Sequence, residues 1–163
     1  MNILVFIILG SQKFQFNRLL EYIDKLIEEG IIDNSVVCQS GYSDYTPKYF
    51  SKQPFLDKES FLENISDSQL VITHGGTGAI INSLSKNKKI IAIPRESQHG
   101  EHVDNHQYEI TEVFKKSGYI LTATSYEELT SRLKESVTFC PKKFTSNNDR
   151  FLDSLERIIN DVL

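Results

Sequence analysis

Short apolar runs alternate with amphipathic stretches along this chain, the pattern of an α/β domain built on a mainly parallel sheet. The first run, Ile-Leu-Val-Phe-Ile-Ile-Leu at 3–9, stops at Gly10-Ser11 and predicts a buried first strand. Phe16, Leu19, Leu20, Ile23, Leu26 and Ile27 then recur at helical spacing, with Gly30 as the stop. Residues 35–39 predict a second strand. The stretch 40–54, polar and aromatic without a period, predicts a loop with room for one short strand. Asp57 stands where it caps a helix carrying Phe61, Leu62 and Ile65. Residues 69–73 predict a strand running directly into His74-Gly75-Gly76-Thr77-Gly78, and 79–85 a helix with Ile80, Ile81 and Leu84 on one side. A strand at 89–93 is stopped by Pro94. After a polar loop come a helix from about 103 to 117, ended by Gly118, and a strand at 119–123. Ser125 and Glu128 have capping-box spacing before a further helix. Beyond a loop around Pro141, Leu152, Leu155, Ile158, Ile159 and Val162 form the stripe of a last helix. With no repeat, low-complexity tract or linker, one domain over 1–163 is expected, a Rossmann-like sheet flanked by helices.

Composition narrows the function classes. The chain is 163 residues long, 39% hydrophobic and 25% charged, which suits a soluble domain with its own core. A net charge of −4 argues against nucleic acid as a partner, because phosphate backbones demand a basic face. No run reaches the roughly 18 apolar residues of a spanning helix. Residues 3–9 lack the basic flank and cleavage site of a signal peptide. Cys38 and Cys140 do not make a disulfide framework and read as reduced thiols. The expected location is the cytosol.

In open α/β sheets ligands sit beyond the carboxyl ends of the strands, which points to Gly10-Ser11, His74–Gly78 and 95–107. Three glycines in four positions let backbone N–H groups approach a ligand, and the following helix turns its positive end to the same place. A diphosphate fits, with Thr77 as a further donor; the alternative is a tight turn whose glycines serve backbone geometry alone. There is no Gly-Lys-Ser/Thr, and no glycine stands three residues beyond Gly78, so neither the P-loop nor the dinucleotide fingerprint explains this turn. The third loop carries Glu101, Asp104, Asn105 and Gln107, groups suited to sugar hydroxyls. It also holds His99, His102 and His106, of which the last two have the i, i+4 spacing of zinc ligands on a helix. A solvated helix start headed by Asp104 is the plain structural reading.

The segments Thr73-His-Gly-Gly-Thr-Gly-Ala-Ile80, Ile93-Pro-Arg95 and His102-Val-Asp-Asn-His-Gln107 together resemble the C-terminal, donor-binding domain of family-28 glycosyltransferases. The chain is similar to short stand-alone versions of that domain. These include the catalytic subunit of the two-part enzyme that adds the second N-acetylglucosamine to dolichol-linked oligosaccharide. They also include capsule and exopolysaccharide proteins of bacteria, with which Leu9-Gly-Ser-Gln-Lys-Phe14 and Gly41-Tyr-Ser-Asp-Tyr45 agree.

The resemblance implies the C-terminal half of a GT-B glycosyltransferase that binds a UDP-sugar. It places Gly10 and Ser11 near the phosphates, His74, Gly75, Gly76, Thr77 and Gly78 around the diphosphate, and Asp104, Asn105 and Gln107 on the sugar. Arg95, Glu101 and His106 are secondary candidates. Asn82 stands eight residues after His74, where many relatives bind ribose with an acidic residue. Phe55, with the backbone of Leu56, falls where relatives hold uracil, and equally suits a core phenylalanine. The resemblance further implies no metal and no cofactor beyond the donor, and a base lying outside this half. It implies a membrane-anchored subunit that binds a lipid-linked acceptor and holds this chain at the inner face of the membrane. The last helix then packs on the core or docks on that subunit. The other readings open are a non-catalytic nucleotide-sugar sensor or scaffold, and a zinc hydrolase.

Overall fold

The computed structural model describes residues 3–145 and 149–160. Five strands, β1 (Val5–Ile8), β2 (Val36–Gln39), β3 (Leu70–His74), β4 (Lys89–Ile93) and β5 (Leu121–Thr122), form one sheet in the order β2-β1-β3-β4-β5. Every pairing is parallel, with Ile8 level with Gln39 on one side and Thr73 on the other. Among the described residues six α-helices cover it: α1 (Asn17–Glu28), α2 (Lys58–Asp67), α3 (Thr77–Ser85), α4 (His106–Lys116), α5 (Tyr126–Ser136) and α6 (Asp149–Asn160).

The apolar run of β1 is continuous because both faces of the sheet are covered. Its side chains alternate: Val5, Ile7 and Leu9 pack with Leu19, Leu20, Ile23 and Leu26 of α1 and Leu129 and Leu133 of α5. Phe6 and Ile8 pack with Ile65, Ile80, Leu84 and Phe114 on the opposite face, where α2, α3, α4 and α6 lie. From β1 the chain moves outward to β2, then returns past β1 to β3. The crevice between the carboxyl ends of β1 and β3 is therefore the topological switch point, the place where such sheets bind ligands.

Local chemistry sets the helix ends. Asp57 accepts from Ser60 N at 2.9 Å, and Ser125 Oγ accepts from Glu128 N at 3.2 Å, as their spacing predicts. Gly30 and Gly118 close α1 and α4 with φ of 68° and 78°.

Several expectations change. The strand expected at 119–123 is confined to Leu121–Thr122. The 40–54 stretch contributes no strand to the sheet, only a bridge between Gln53 and Gln39. It is pinned instead by buried Asp24, which accepts from Tyr45 Oη at 2.8 Å, Lys48 N at 2.8 Å and Tyr49 N at 3.1 Å. The helix expected from 103 starts at His106, because Asp104 Oδ1 accepts from His106 N at 3.0 Å and keeps 100–105 irregular. The helix expected from 79 starts at Thr77, so Thr77 and Gly78 form the first turn of α3. In α6, Phe151 and Leu155 are buried against the α4 side, while Ile158 and Ile159 reach the crevice at the switch point. Val162 lies outside the described residues.

Candidate functional site

The crevice opens into a cavity of about 480 Å³. Gly10, Ser11 and Gln12 line it from the β1–α1 loop, and His74 to Ala79 from β3 and the start of α3. Arg95, His102, Asp104, His106 and Gln107 line it from the β4–α4 side, and Ile110 and Ile158 complete an apolar wall. The three loops singled out from the sequence thus converge. Asn82, Asn105, Glu101 and Phe55 do not line this cavity.

Backbone donors head the site. α3 begins at an N-cap glycine, Gly76, with no side-chain cap and no acidic residue in its first turn. The first N–H groups of such a helix lack an internal partner, and its positive end favours an anion. The glycines have separate reasons. A Cβ on Gly75 would come within 2.8 Å of Gln107 Cβ, and one on Gly76 would enter the His74 ring. These two are glycine because the protein packs against itself there. Gly78 has nothing within 4 Å of where a Cβ would stand, and it lines the cavity.

His74, at the end of β3, has Nδ1 3.3 Å from the Ile8 carbonyl and 3.3 Å from Thr73 Oγ1. Its ring also explains Gly10 (φ 89°), whose Cβ would approach Nε2 to 2.7 Å. Burial, and then the charge of Arg95, push the imidazole down to about 4, so the ring is neutral at pH 7.

Arg95 is 1% exposed, and its guanidinium is held by backbone carbonyls, with the Glu101 carboxylate acting on it only through its charge. It donates to the carbonyls of Phe14 at 3.0 Å and Glu101 at 2.9 Å, and to Leu9. Burial pushes it down to about 10, which leaves it cationic at neutral pH beside the cavity. Gln107 Oε1 accepts from Gly75 N at 2.9 Å and Arg95 N at 3.0 Å, tying the ends of β3 and β4 together. Its carbonyl is thereby committed, and its amide N–H groups are what it has to offer a ligand.

Two of the remaining candidates, Glu101 and Asn105, hold the loop. Glu101 is fully buried and takes Arg18 Nε and Nη2 at 2.9 Å each, together with Glu96 N at 2.8 Å. Asn105 Oδ1 accepts from Ser97 N at 2.9 Å. Asn82 Nδ2 folds back to the Gly78 carbonyl at 2.9 Å. Phe55 is 48% exposed and meets Tyr42 edge to face, so it is not a core phenylalanine. The Leu56 amide is taken by Gln39 Oε1 at 3.0 Å.

The histidines do not form the zinc arrangement that the spacing allowed. His102 precedes α4, so His102 and His106 share no helical face, and among the described residues no group of three metal-binding side chains assembles. His102 Nδ1 lies 3.1 Å from Asp104 Oδ1, while His106 Nδ1 is buried without a hydrogen bond, Glu109 Oε1 being 3.8 Å away. Sequence reasoning passed over Gln12, Gln39 and Phe61 as lining residues. Gln12 neighbours a loop already singled out, whereas the other two carry no local signal.

Comparison with known proteins agrees with this fold. The mouse (Mus musculus) protein named UDP-N-acetylglucosamine transferase subunit ALG13 is 32% identical over 103 residues, 60% of this chain and 8% of its own length. The Saccharomyces cerevisiae protein of that name is 33% identical over 106 residues, 64% of this chain and 48% of its own length. This chain therefore matches less than half of each of these relatives. Among solved structures, that of ALG13 superposes with a TM-score of 0.60 at 21% identity, covering 90% of this chain and 92% of the other. MurG of Acinetobacter baumannii superposes at 0.56 with 16% identity, over 81% of this chain and 41% of its own. Both share the fold. The model of the glycosyltransferase family 28 C-terminal domain matches residues 4–162, and the chain belongs to that family.

Proposed function

We propose that this chain is the donor-binding subunit of a glycosyltransferase, holding a UDP-sugar in the crevice between β1 and β3. The observation that carries the reading is the uncapped start of α3, with Gly78 open to the cavity and the Arg95 cation beside it. A diphosphate placed there meets backbone N–H groups and positive charge without a metal. Gln107, through its amide N–H groups, and Asp104 then face the sugar. The relatives' name favours UDP-N-acetylglucosamine as the donor, and its word "subunit" favours a separate acceptor-binding partner.

Among the described residues no helix is long and apolar enough to cross a membrane. In this reading a membrane-anchored partner brings the lipid-linked acceptor and holds the chain at the cytoplasmic face. The setting is lipid-linked glycan assembly, in bacteria that of capsule or exopolysaccharide. The test is thermal unfolding with a panel of UDP-N-acetylglucosamine, UDP-galactose, UDP-glucuronate, UDP and ADP, each with and without EDTA. A ligand at a hundredfold excess over Kd stabilises by about 2.7 kcal/mol. The expected result is a rise in Tm for the uridine compounds, largest for UDP-N-acetylglucosamine and unchanged by EDTA. Equal shifts for ADP and UDP, or none, count against the reading.

A further inference from the structure

His74 is held in a way that fixes which of its nitrogens meets a ligand. Nδ1 faces two oxygens, the Ile8 carbonyl and Thr73 Oγ1, both at 3.3 Å. A carbonyl oxygen only accepts, whereas a hydroxyl either donates or accepts. With a proton on Nδ1 the ring donates toward both oxygens. With a lone pair there, Thr73 could donate, but the Ile8 carbonyl would face a second lone pair. The geometry therefore favours the Nδ1–H tautomer. Nε2 is the ring atom that a Cβ on Gly10 or Gly76 would strike first, and both glycines line the cavity. The nitrogen turned toward the ligand is thus the bare one.

A lone pair repels a diphosphate oxygen, and only a protonated Nε2 attracts it. We propose that binding of the anionic donor is coupled to the uptake of one proton from solvent at His74 Nε2. His74 is on this view a positioning group that becomes an imidazolium only when the donor is in place. This rests on the donor-site reading above. Burial, Arg95 and His102 all disfavour charge on the free ring, against the opposing pull of the Ile8 carbonyl. A diphosphate reverses that balance by outweighing the Arg95 charge. The imidazolium then lies beside the group on which charge grows as the sugar–phosphate bond breaks.

The experiment is calorimetric titration of the full chain with UDP-N-acetylglucosamine at pH 7, in buffers of different ionisation enthalpy. The diphosphate of this probe is a diester without an ionisation near neutrality, so the proton count reports on the protein. The expected result is an uptake near one proton per donor bound, falling to near zero in His74→Gln. Affinity should rise about tenfold for each unit that pH falls while the free ring is neutral and the bound ring charged. Thr73→Val should keep the uptake; its loss there with binding intact would give the tautomer to Thr73 and overturn the assignment. Should His74→Gln fail to fold, ¹⁵N spectra of the wild-type imidazole serve instead. They should show one protonated nitrogen in the free protein and two in the complex. Donor binding with no proton uptake would overturn this proposal alone, whereas absence of any binding would remove the donor-site reading and this proposal with it.

Discussion

The three glycines of the β3–α3 turn do different work, and substitution separates them. Gly78→Ala adds a methyl where nothing stands within 4 Å, inside a helix where alanine is favoured by about 1 kcal/mol. The expected outcome is a protein as stable as the parent or more so, with weakened UDP binding by calorimetry. Unchanged affinity would move the diphosphate elsewhere. Gly76→Val is a poorer probe, because its side chain would enter the His74 ring and disturb fold and site together. His74 also makes the free protein acid-sensitive. Its folded value of about 4 lies below the ordinary 6.5, so its contribution is fully present above 6.5. It is lost as pH falls from 6.5 towards 4. Urea denaturation should show a loss of about 2 kcal/mol from this group between pH 7 and pH 5, reduced in His74→Gln. These assignments depend on tertiary neighbours. Gln107 and Thr111 fill the space beside Gly75, and the sequence order of the turn says nothing of them; His74 stands within the turn, but that its ring folds over Gly76 is visible only in three dimensions.

The strands were the most legible elements, because a sheet covered on both faces writes itself as unbroken apolar runs. Helix starts were legible where the capping side chain is local, as at Asp57 and Ser125; at α4 the reading of a helix start headed by Asp104 fits, and only its first residue, expected at 103, is displaced to His106. There Asp104 caps His106 N while Asn105 reaches back to Ser97, so side chains that read as sugar-binding shape the loop's own backbone. The chief support of that loop is the Arg18–Glu101 pair, which fastens it to α1 with side chains 13% and 1% exposed. Removing one partner of a buried pair leaves an uncompensated charge and costs roughly 3–5 kcal/mol. Glu101→Gln should therefore lower denaturant stability by an amount of that order. UDP-sugar affinity should fall with it as Arg95 and Asp104 lose their setting; full stability in this variant would refute the anchoring role. In α6, Phe151 packs on Phe114 and Tyr119 at ring-centroid distances of 4.9 and 5.3 Å. Phe151→Ala should cost about 3–5 kcal/mol and free the helix whose Ile158 and Ile159 wall the cleft. Hydrogen exchange across 149–160 would measure that release.

At the scale of the whole molecule, the order β2-β1-β3-β4-β5 brings the loops at 10–12, 74–78 and 95–107 to one end of the sheet. Alternating strands and helices announced that architecture, whereas the order of strands within the sheet became visible only in three dimensions. Four of the exposed large apolar side chains, Tyr42, Phe55, Val103 and Ile159, belong to segments that border this end. A donor subunit that works with an acceptor-binding partner should transfer little sugar to a lipid acceptor by itself. Co-expression with such a partner should raise transfer from UDP-N-acetylglucosamine, scored with a radiolabelled donor; vigorous transfer by the isolated chain would contradict the division of labour. All of this stands on one property, that the cleft holds a uridine diphosphate sugar against the start of α3. The most direct measurement is calorimetric titration of the purified chain with UDP-N-acetylglucosamine, run in parallel on Gly78→Ala. Saturable one-to-one binding that weakens at least several-fold in an equally stable variant is the predicted result. Absence of binding, or the same affinity in both proteins, would contradict it.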